Sequence, residues 1–418
     1  MSISEAWKAI EGKNSGTAVC LITGKVGSVA RTHPAVRGIR ASAGAKDSDS
    51  IVAFNQPSFE SYGHVQGDNA PISEAAAFRY TTALNTFLAK GSRNRIQIGD
   101  ASTVFWADAS DAATAEKAEN AFVAMFEEVS EDIESRKVGD ILEHVRKGQP
   151  LEEIAPELSH GVRFHVLGLA PNAARLSIRF WFDNDFGVLA RNYQRFVADM
   201  RIEPPPRKSN QPLWRYLIET AVLGKGENIP PNLAGEWMRS ILMGTAYPQT
   251  LLSTVLMRIR SDGEVNALRV AMLKALIIRN FKREAPVSLD PENTNKGYLL
   301  GRLFAAYEQA QTAALGSKVN ATIKDKFYGA ASAQPRKIFA LLEKGSANHL
   351  SKVGKQAPGF RIVLERTIGG IMEQMSPGDE PFPASLSAQE QALFGLGYYH
   401  QRNEFFKSKK TESADQKD

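Results

Sequence analysis

The 418-residue chain contains a single cysteine, Cys20. That excludes a disulfide framework and any thiolate-rich zinc site, and it suits a reducing compartment, so a cytoplasmic location is expected. Cys20 stands in the apolar run Ala18-Val19-Cys20-Leu21-Ile22 and reads as a small buried hydrophobe. No run of about 18 apolar residues occurs, so no membrane-spanning helix is expected. A charged-then-apolar leader is not expected either. Gly24-Lys25 is followed by Val26, and Val19 stands where the first glycine of a phosphate loop belongs; the phosphate-binding loop is therefore missing. HExxH and Gly-x-Ser-x-Gly do not occur, and the seven histidines are scattered without metal-ligand spacing. No pair of carboxylates rises above the surface background. No catalytic residue, metal or cofactor is expected. Charge of one sign is also scarce: 51 Lys and Arg stand against 46 Asp and Glu, a net of +5. Where the cations cluster therefore matters more than their total.

What is present points to an α+β chain. A strand- and loop-rich N-terminal part with helices is expected first, followed by an all-α C-terminal bundle. The length exceeds one ordinary core. The expected division is 1–203, a helical middle region 204–290, a C-terminal bundle 291–406 and a disordered charged tail 407–418. Pro204-Pro205-Pro206-Arg207-Lys208-Ser209 reads as a stiff linker. Thr17 to Thr23 reads as a buried strand, Ser50 to Phe54 as a short one, and Arg95–Ile98 with Thr103–Trp106 as a hairpin around Gly99-Asp100. Pro71 and Ser73 open a helix that Gly91 ends. Ala112 to Lys147 reads as a helix with an acidic face (Glu127, Glu128, Glu131, Asp132, Glu134). Past the linker, helices are expected from Pro212, Asn232, Pro248, Glu264, Pro291, Lys318, Gln334, Gly359 and Ala388. Met238, Met243, Met257 and Met272 fall at helical core positions.

Four stretches have chemistry suited to nucleic acid. Gly161 to Asn184 reads as two strands joined by a Pro171-Asn172 turn. Alternation gives one apolar face (Val162, Phe164, Val166, Leu176, Ile178, Phe180, Phe182). The other face carries Arg163, His165, Arg175, Ser177, Arg179 and Trp181; of these, Arg175 and Arg179 are the phosphate candidates. Lys25, Arg31, His33, Arg37 and Arg40 lie among small residues that let a backbone come close to another surface. A solvated loop is the bland alternative. The loop Phe54 to Asn69 is dense in amides, hydroxyls and aromatics, with Asn55, Gln56, Ser58, Tyr62, Gln66 and Asn69 as candidate groove-edge contacts. Its bland alternative is a loop that bonds its own backbone. Arg258, Arg260, Arg269, Lys274, Arg279, Lys282 and Arg283 are expected to face outward as a basic stripe, with a merely solvated helix face as the bland alternative.

Several segments, in order, carry a resemblance. They are Cys20-Leu21-Ile22-Thr23-Gly24, Phe54-Asn55 with Phe59-Glu60-Ser61-Tyr62-Gly63, Asn69-Ala70-Pro71, and Ala77-Phe78-Arg79-Tyr80-Thr81-Thr82-Ala83-Leu84-Asn85. Ile98-Gly99-Asp100 with Val104-Phe105-Trp106-Ala107 follows, and then Leu167 to Ser177 with Arg179-Phe180-Trp181. Together they resemble the large subunit of the type I-C CRISPR Cascade. The resemblance implies a non-catalytic subunit that binds duplex DNA at a protospacer-adjacent motif and helps form the R-loop. It also implies that the subunit holds the displaced strand and offers a surface to a separate nuclease-helicase. The implied partners are the backbone subunits, guide RNA, target DNA and small subunits made from an internal start; no membrane is implied. The family carries a sizeable region before the Cys20 strand, so a shortened or split large subunit is expected. Guide pairing then chooses the sequence while protein contacts read a short motif and the backbone. Two other readings stand beside this one: a metal-dependent nuclease, which needs clustered acidic ligands, and a helical scaffold without DNA contact.

Overall fold

The computed structural model describes residues 16–39, 48–54, 56–126, 143–145, 149–172, 175–207, 211–230, 232–316, 321–375 and 380–407. Two small antiparallel pairs come first, β1 (Thr17–Val19) with β2 (Val26–Ser28) and β3 (Val36–Arg37) with β4 (Ser48–Asp49). The expected buried strand at 17–23 is thus short, and Val19, Leu21, Ile22 and Val26 are exposed. Only Cys20 turns inward, against Ala30, Ile72, Ala76 and Ala77. The chain reverses at Leu21–Thr23, where the Cys20 N–H meets the Lys25 carbonyl at 2.9 Å. Ser50–Phe54 is not a strand.

Helix α1 (Glu74–Phe87) starts at Ser73, whose hydroxyl accepts from the Ala76 N–H, as an N-cap should. A four-stranded antiparallel meander follows: β5 (Arg95–Ile98), β6 (Ala101–Asp108), β7 (Arg163–Asn172) and β8 (Arg175–Asp185). Helix α2 (Ala112–Phe126) covers one sheet face, with Phe122 4.7 Å from Phe105 and 5.3 Å from Phe164 between ring centroids. The expected acidic positions from Glu127 to Glu134 lie outside the described residues. Two short turns, α3 (Leu151–Ile154) and α4 (Pro156–Ser159), lead into β7.

Sequence alternation breaks once in this sheet. Gly168 pairs with Phe180, but Leu169 pairs with Ile178, so Arg179 is an extra residue. One inserted residue reverses which face every later side chain takes. Phe180 and Phe182 stay buried, while Leu176 joins Leu84, Leu88 and Val104 in the other cluster, and Ile178 is exposed. The single apolar face expected for β8 is therefore split between two sheet faces.

The remaining elements are helices α5 (Phe186–Met200), α6 (Leu213–Ile218), α7 (Leu233–Met243), α8 (Gln249–Asp262), α9 (Ala267–Phe281), α10 (Lys296–Leu315), α11 (Ile323–Ala333), α12 (Pro335–Gln356), α13 (Pro358–Glu373) and α14 (Ala388–Glu404). The chain is α+β, with the strands in its first half. It forms two compact units: residues 1–142, 151–189 and 234–239, and residues 143–150, 190–233 and 240–418. Helix starts shift where a better cap wins. Asn295 rather than Asp290 opens α10, accepting from the Tyr298 N–H at 3.0 Å, and Thr322 with Asp325 forms a capping box for α11.

In the second unit α10 and α14 meet backbone to backbone. A Cβ at Gly301 would lie 2.1 Å from the Phe394 carbonyl oxygen, and one at Gly397 2.1 Å from that of Tyr298. Phe304 fills the crossing against Tyr328, Phe394 and Tyr398. Met238 and Met272 are buried as expected, but Met243 and Met257 are half exposed. Among the described residues no helix is long and apolar enough to cross a membrane.

Candidate nucleic-acid interface

The two N-terminal loops are brought together in the first unit. The Gly67 N–H donates to the Arg31 carbonyl at 3.1 Å, and a Cβ on Gly67 would lie 2.0 Å from the Ala30 oxygen. Only glycine lets one loop lie on the other at that point. Arg31 donates through Nε to Gln66 Oε1 and stays exposed. Asn69 braces its own loop: it accepts from the Ser61 N–H at 2.9 Å and donates to the carbonyls of His64 (3.2 Å) and Gln66 (2.9 Å). The bland alternative therefore holds for Asn69, whereas the Gln66 side chain is engaged across the two loops by Arg31.

His33 is a correction. It is buried, with Nδ1 2.6 Å from the Tyr80 hydroxyl, and burial lowers its pKa, so no phosphate reaches it. Lys25, Arg37, Gln56, Ser58 and Tyr62 do reach solvent. Tyr62 is 100% exposed and sits at φ 54°, beside Gly63. A bulky residue held in the left-handed region is uncommon. Arg40 and Asn55 lie outside the described residues.

The basic face expected on the β7–β8 hairpin is broken up, and two of its three arginines are paired with carboxylates. Arg179 donates to Asp100 through Nη2 at 2.7 Å and Nε at 3.1 Å. Arg163 donates to both oxygens of Asp183, at 2.7 and 2.9 Å. Arg175 lies over the Phe59 ring, 3.9 Å from its centroid. Each guanidinium already has a partner, and the β8 bulge removes the shared face that was to align them.

The stripe expected over 258–283 is also overturned. Arg258, Arg269, Lys274 and Arg279 are buried. Helix α9 is apolar almost all round, and every residue from Arg269 to Ile277 is buried, so it has no outward face on which to carry cations. Asp262, on the same helix as Arg258, and acids from other elements take up the charges instead. Arg269 meets Asp262 at 2.6 Å and Glu219 at 3.0 Å, and Arg258 meets Asp262 at 3.4 Å. Arg279 Nε donates to Asp199 at 2.8 Å, with its guanidinium over Tyr247. Lys274 Nζ donates to the Asp199 carbonyl at 3.0 Å, and burial lowers its pKa to about 8. Arg260, Lys282 and Arg283 stay exposed. Arg283 pairs with Glu390 at 3.4 Å, and Lys282 and Arg283 share an open cleft with Glu284 and Asp290.

An exposed basic surface does exist in the second unit, on a segment not singled out from the sequence. Helices α12 and α13 carry Arg336, Lys337, Lys344, Lys352, Lys355, Arg361 and Arg366, all exposed. Arg336 pairs with Glu380 and Arg361 with Glu365. Lys337, Lys344, Lys352 and Lys355 have no carboxylate partner among the described residues. Steps of three and four residues link them through Leu341 and Asn348 into one stripe of α12, about 27 Å long at 1.5 Å per residue. Phe339, Leu342, Ser346 and Val353 form the buried face. That spacing was the available signal: lysines recurring on the side of a helix away from its apolar positions.

Among the described residues no group of three or more His, Cys, Asp or Glu side chains is placed to hold a metal ion. No curated protein matches the chain. A family model does match, that of the CRISPR-associated protein (Cas_Csd1), over residues 1–406. With nearly its whole length covered, this chain belongs to that family, the large subunits of type I-C CRISPR Cascade.

Proposed function

We propose that the protein is a non-catalytic DNA-binding subunit of Cascade that reads a protospacer-adjacent motif, assists R-loop formation and holds the displaced strand. Its partners in this reading are the backbone subunits with guide RNA, target duplex DNA, and a separate nuclease-helicase that docks on the assembled complex. The observation that carries the reading is the lysine stripe of α12. Four exposed ammonium groups without carboxylate partners among the described residues form a row suited to a phosphodiester strand, since phosphate contacts dominate affinity and need no sequence information. In the first unit, the joined loops that expose Lys25, Arg37 and Tyr62 are the motif-reading element. They offer two cations for phosphates and an aromatic side chain of the kind that wedges against or between base pairs.

The test is reconstitution with backbone subunits and guide RNA, followed by binding to targets with and without the adjacent motif across salt concentrations. A combined Lys25→Ala, Arg37→Ala and Tyr62→Ala variant should lose discrimination between the two targets. Replacing the four α12 lysines with alanine should weaken both targets alike and flatten the salt dependence. Equal binding to both targets by the unaltered complex would defeat motif reading by this chain. An unchanged salt slope in the lysine variant would remove α12 from the DNA path.

A further inference from the structure

The meander leaves part of one sheet face open. Strand pairing places Asp108, Arg163 and Asp185 in one cross-strand row of that face, and Trp106, His165 and Asp183 in the next. Directly paired residues on neighbouring strands share a face. Trp181 belongs to the following row, opposite Leu167. Helix α1 covers the far corner, where Phe87 stacks on Trp106 with ring centroids 5.6 Å apart. The stack then continues into the open: Trp106 to His165 at 4.9 Å, and His165 to Trp181 at 5.7 Å with 26° between planes. It ends at Trp181, which is 44% exposed.

The charges beside this stack are mainly negative. In these rows Asp183 holds Arg163 through both oxygens and Asp185 accepts from the Gly161 and Gly187 N–H groups at 2.9 and 2.8 Å, so three carboxylates stand against one guanidinium. Asp108 is exposed, and its charge helps hold Arg163 protonated, after the larger effect of Asp183. A nucleic-acid strand lying here would bring phosphates against a face on which carboxylates outnumber cations. A guanidinium has the opposite fit: its plane stacks on an indole, and its edge pairs with a carboxylate.

We propose that the open face presented by Trp181, backed by His165 and edged by Asp108 and Asp183, docks an arginine-bearing segment of a partner protein. The occupant is set by charge complementarity: an indole beside an excess of carboxylates selects a flat cation. The assignment is independent of the DNA-contacting surfaces, which lie on other residues.

The test uses the full chain and fluorescein-labelled Gly-Arg-Gly-Arg-Gly, with its lysine and glutamate counterparts and a labelled oligothymidylate, read by anisotropy. The arginine peptide should bind saturably and more tightly than the lysine peptide, and the glutamate peptide should not bind. Trp181→Ala should weaken arginine-peptide binding about tenfold, the scale of a desolvated cation–π contact. Asp108→Asn removes only an exposed charge and should weaken it by about threefold. That second variant keeps the test decisive if loss of Trp181 disturbs the sheet. Arginine-peptide binding unchanged by both variants would overturn the proposal. So would oligothymidylate binding that Trp181→Ala abolishes, which would make the face a base-stacking platform.

Discussion

Residues 258–283 and residues 335–366 have the same linear charge, seven cations against two carboxylates. Their fates are opposite. The first segment buries four of its cations against Asp199, Glu219 and Asp262, while the second keeps all seven in water. The difference lies in the residues between the charges. Helix α9 runs apolar on every side, so it must go inside and take its cations with it, and these require counter-charges from elsewhere. Helix α12 confines its apolar residues to one stripe, so its lysines can stay hydrated. A basic run is a nucleic-acid signal only when the helix beneath it has an outside.

The largest effect that tests this contrast is expected from Asp199→Ala. It strands Arg279 in the interior without its carboxylate, and a loss of about 3–5 kcal/mol is expected in urea unfolding. A loss below about 1 kcal/mol would mean that the 258–283 cations are hydrated after all. Next comes replacement of Lys337, Lys344, Lys352 and Lys355 by alanine. On single-stranded DNA the slope of log affinity against log salt should fall in magnitude by about 2–3, at roughly 0.7 for each phosphate left without its cation. Stability should change little, because surface substitutions seldom do more.

Lys274→Met sharpens the buried side of the comparison. The Lys274 pKa is lowered by burial from 10.5 to about 8. Between those values the unfolded chain binds the proton that the folded chain has released. Lys274 therefore makes stability rise with pH across that window, by at most about 1.4 kcal/mol per pH unit. The methionine variant should lack this contribution, be at least as stable as the parent near neutral pH, and bind DNA with an unaltered salt slope. Steeper salt dependence in the parent than in the variant would return Lys274 to the DNA path. The smallest effect is expected at Tyr62→Gly. Relief of the positive φ should raise stability by up to about 1 kcal/mol, while discrimination of the adjacent motif falls. A gain in stability with intact discrimination would leave Tyr62 without a role in reading.

Much of this was legible in local sequence. The β5–β6 hairpin, the Ser73 cap and most C-terminal helices follow from turn residues, caps and periodicity. The site was less legible, for three separate reasons. Arg163 and Arg179 look free in sequence, but their partners are Asp183 on the neighbouring strand and Asp100, 79 residues away in the chain. Gln66 and Asn69 have the chemistry of groove readers, yet the Asn69 amide closes its own loop and the Gln66 amide oxygen accepts from Arg31 of the other loop. The β8 bulge is invisible to a period-two count, because alternation assumes that no residue is inserted.

Sequence by itself determined the α+β order of elements, the helical second half and the family, since local propensity and colinear motifs carry that information. Tertiary structure alone decided which of two equally basic segments is a surface. Burial depends on what packs around a helix, and Asp199 and Glu219, which help to make burial of Arg279 and Arg269 tolerable, come from distant parts of the chain. Tertiary structure likewise set Trp106, His165 and Trp181 side by side on one open face, because strand register, and not chain proximity, aligns them.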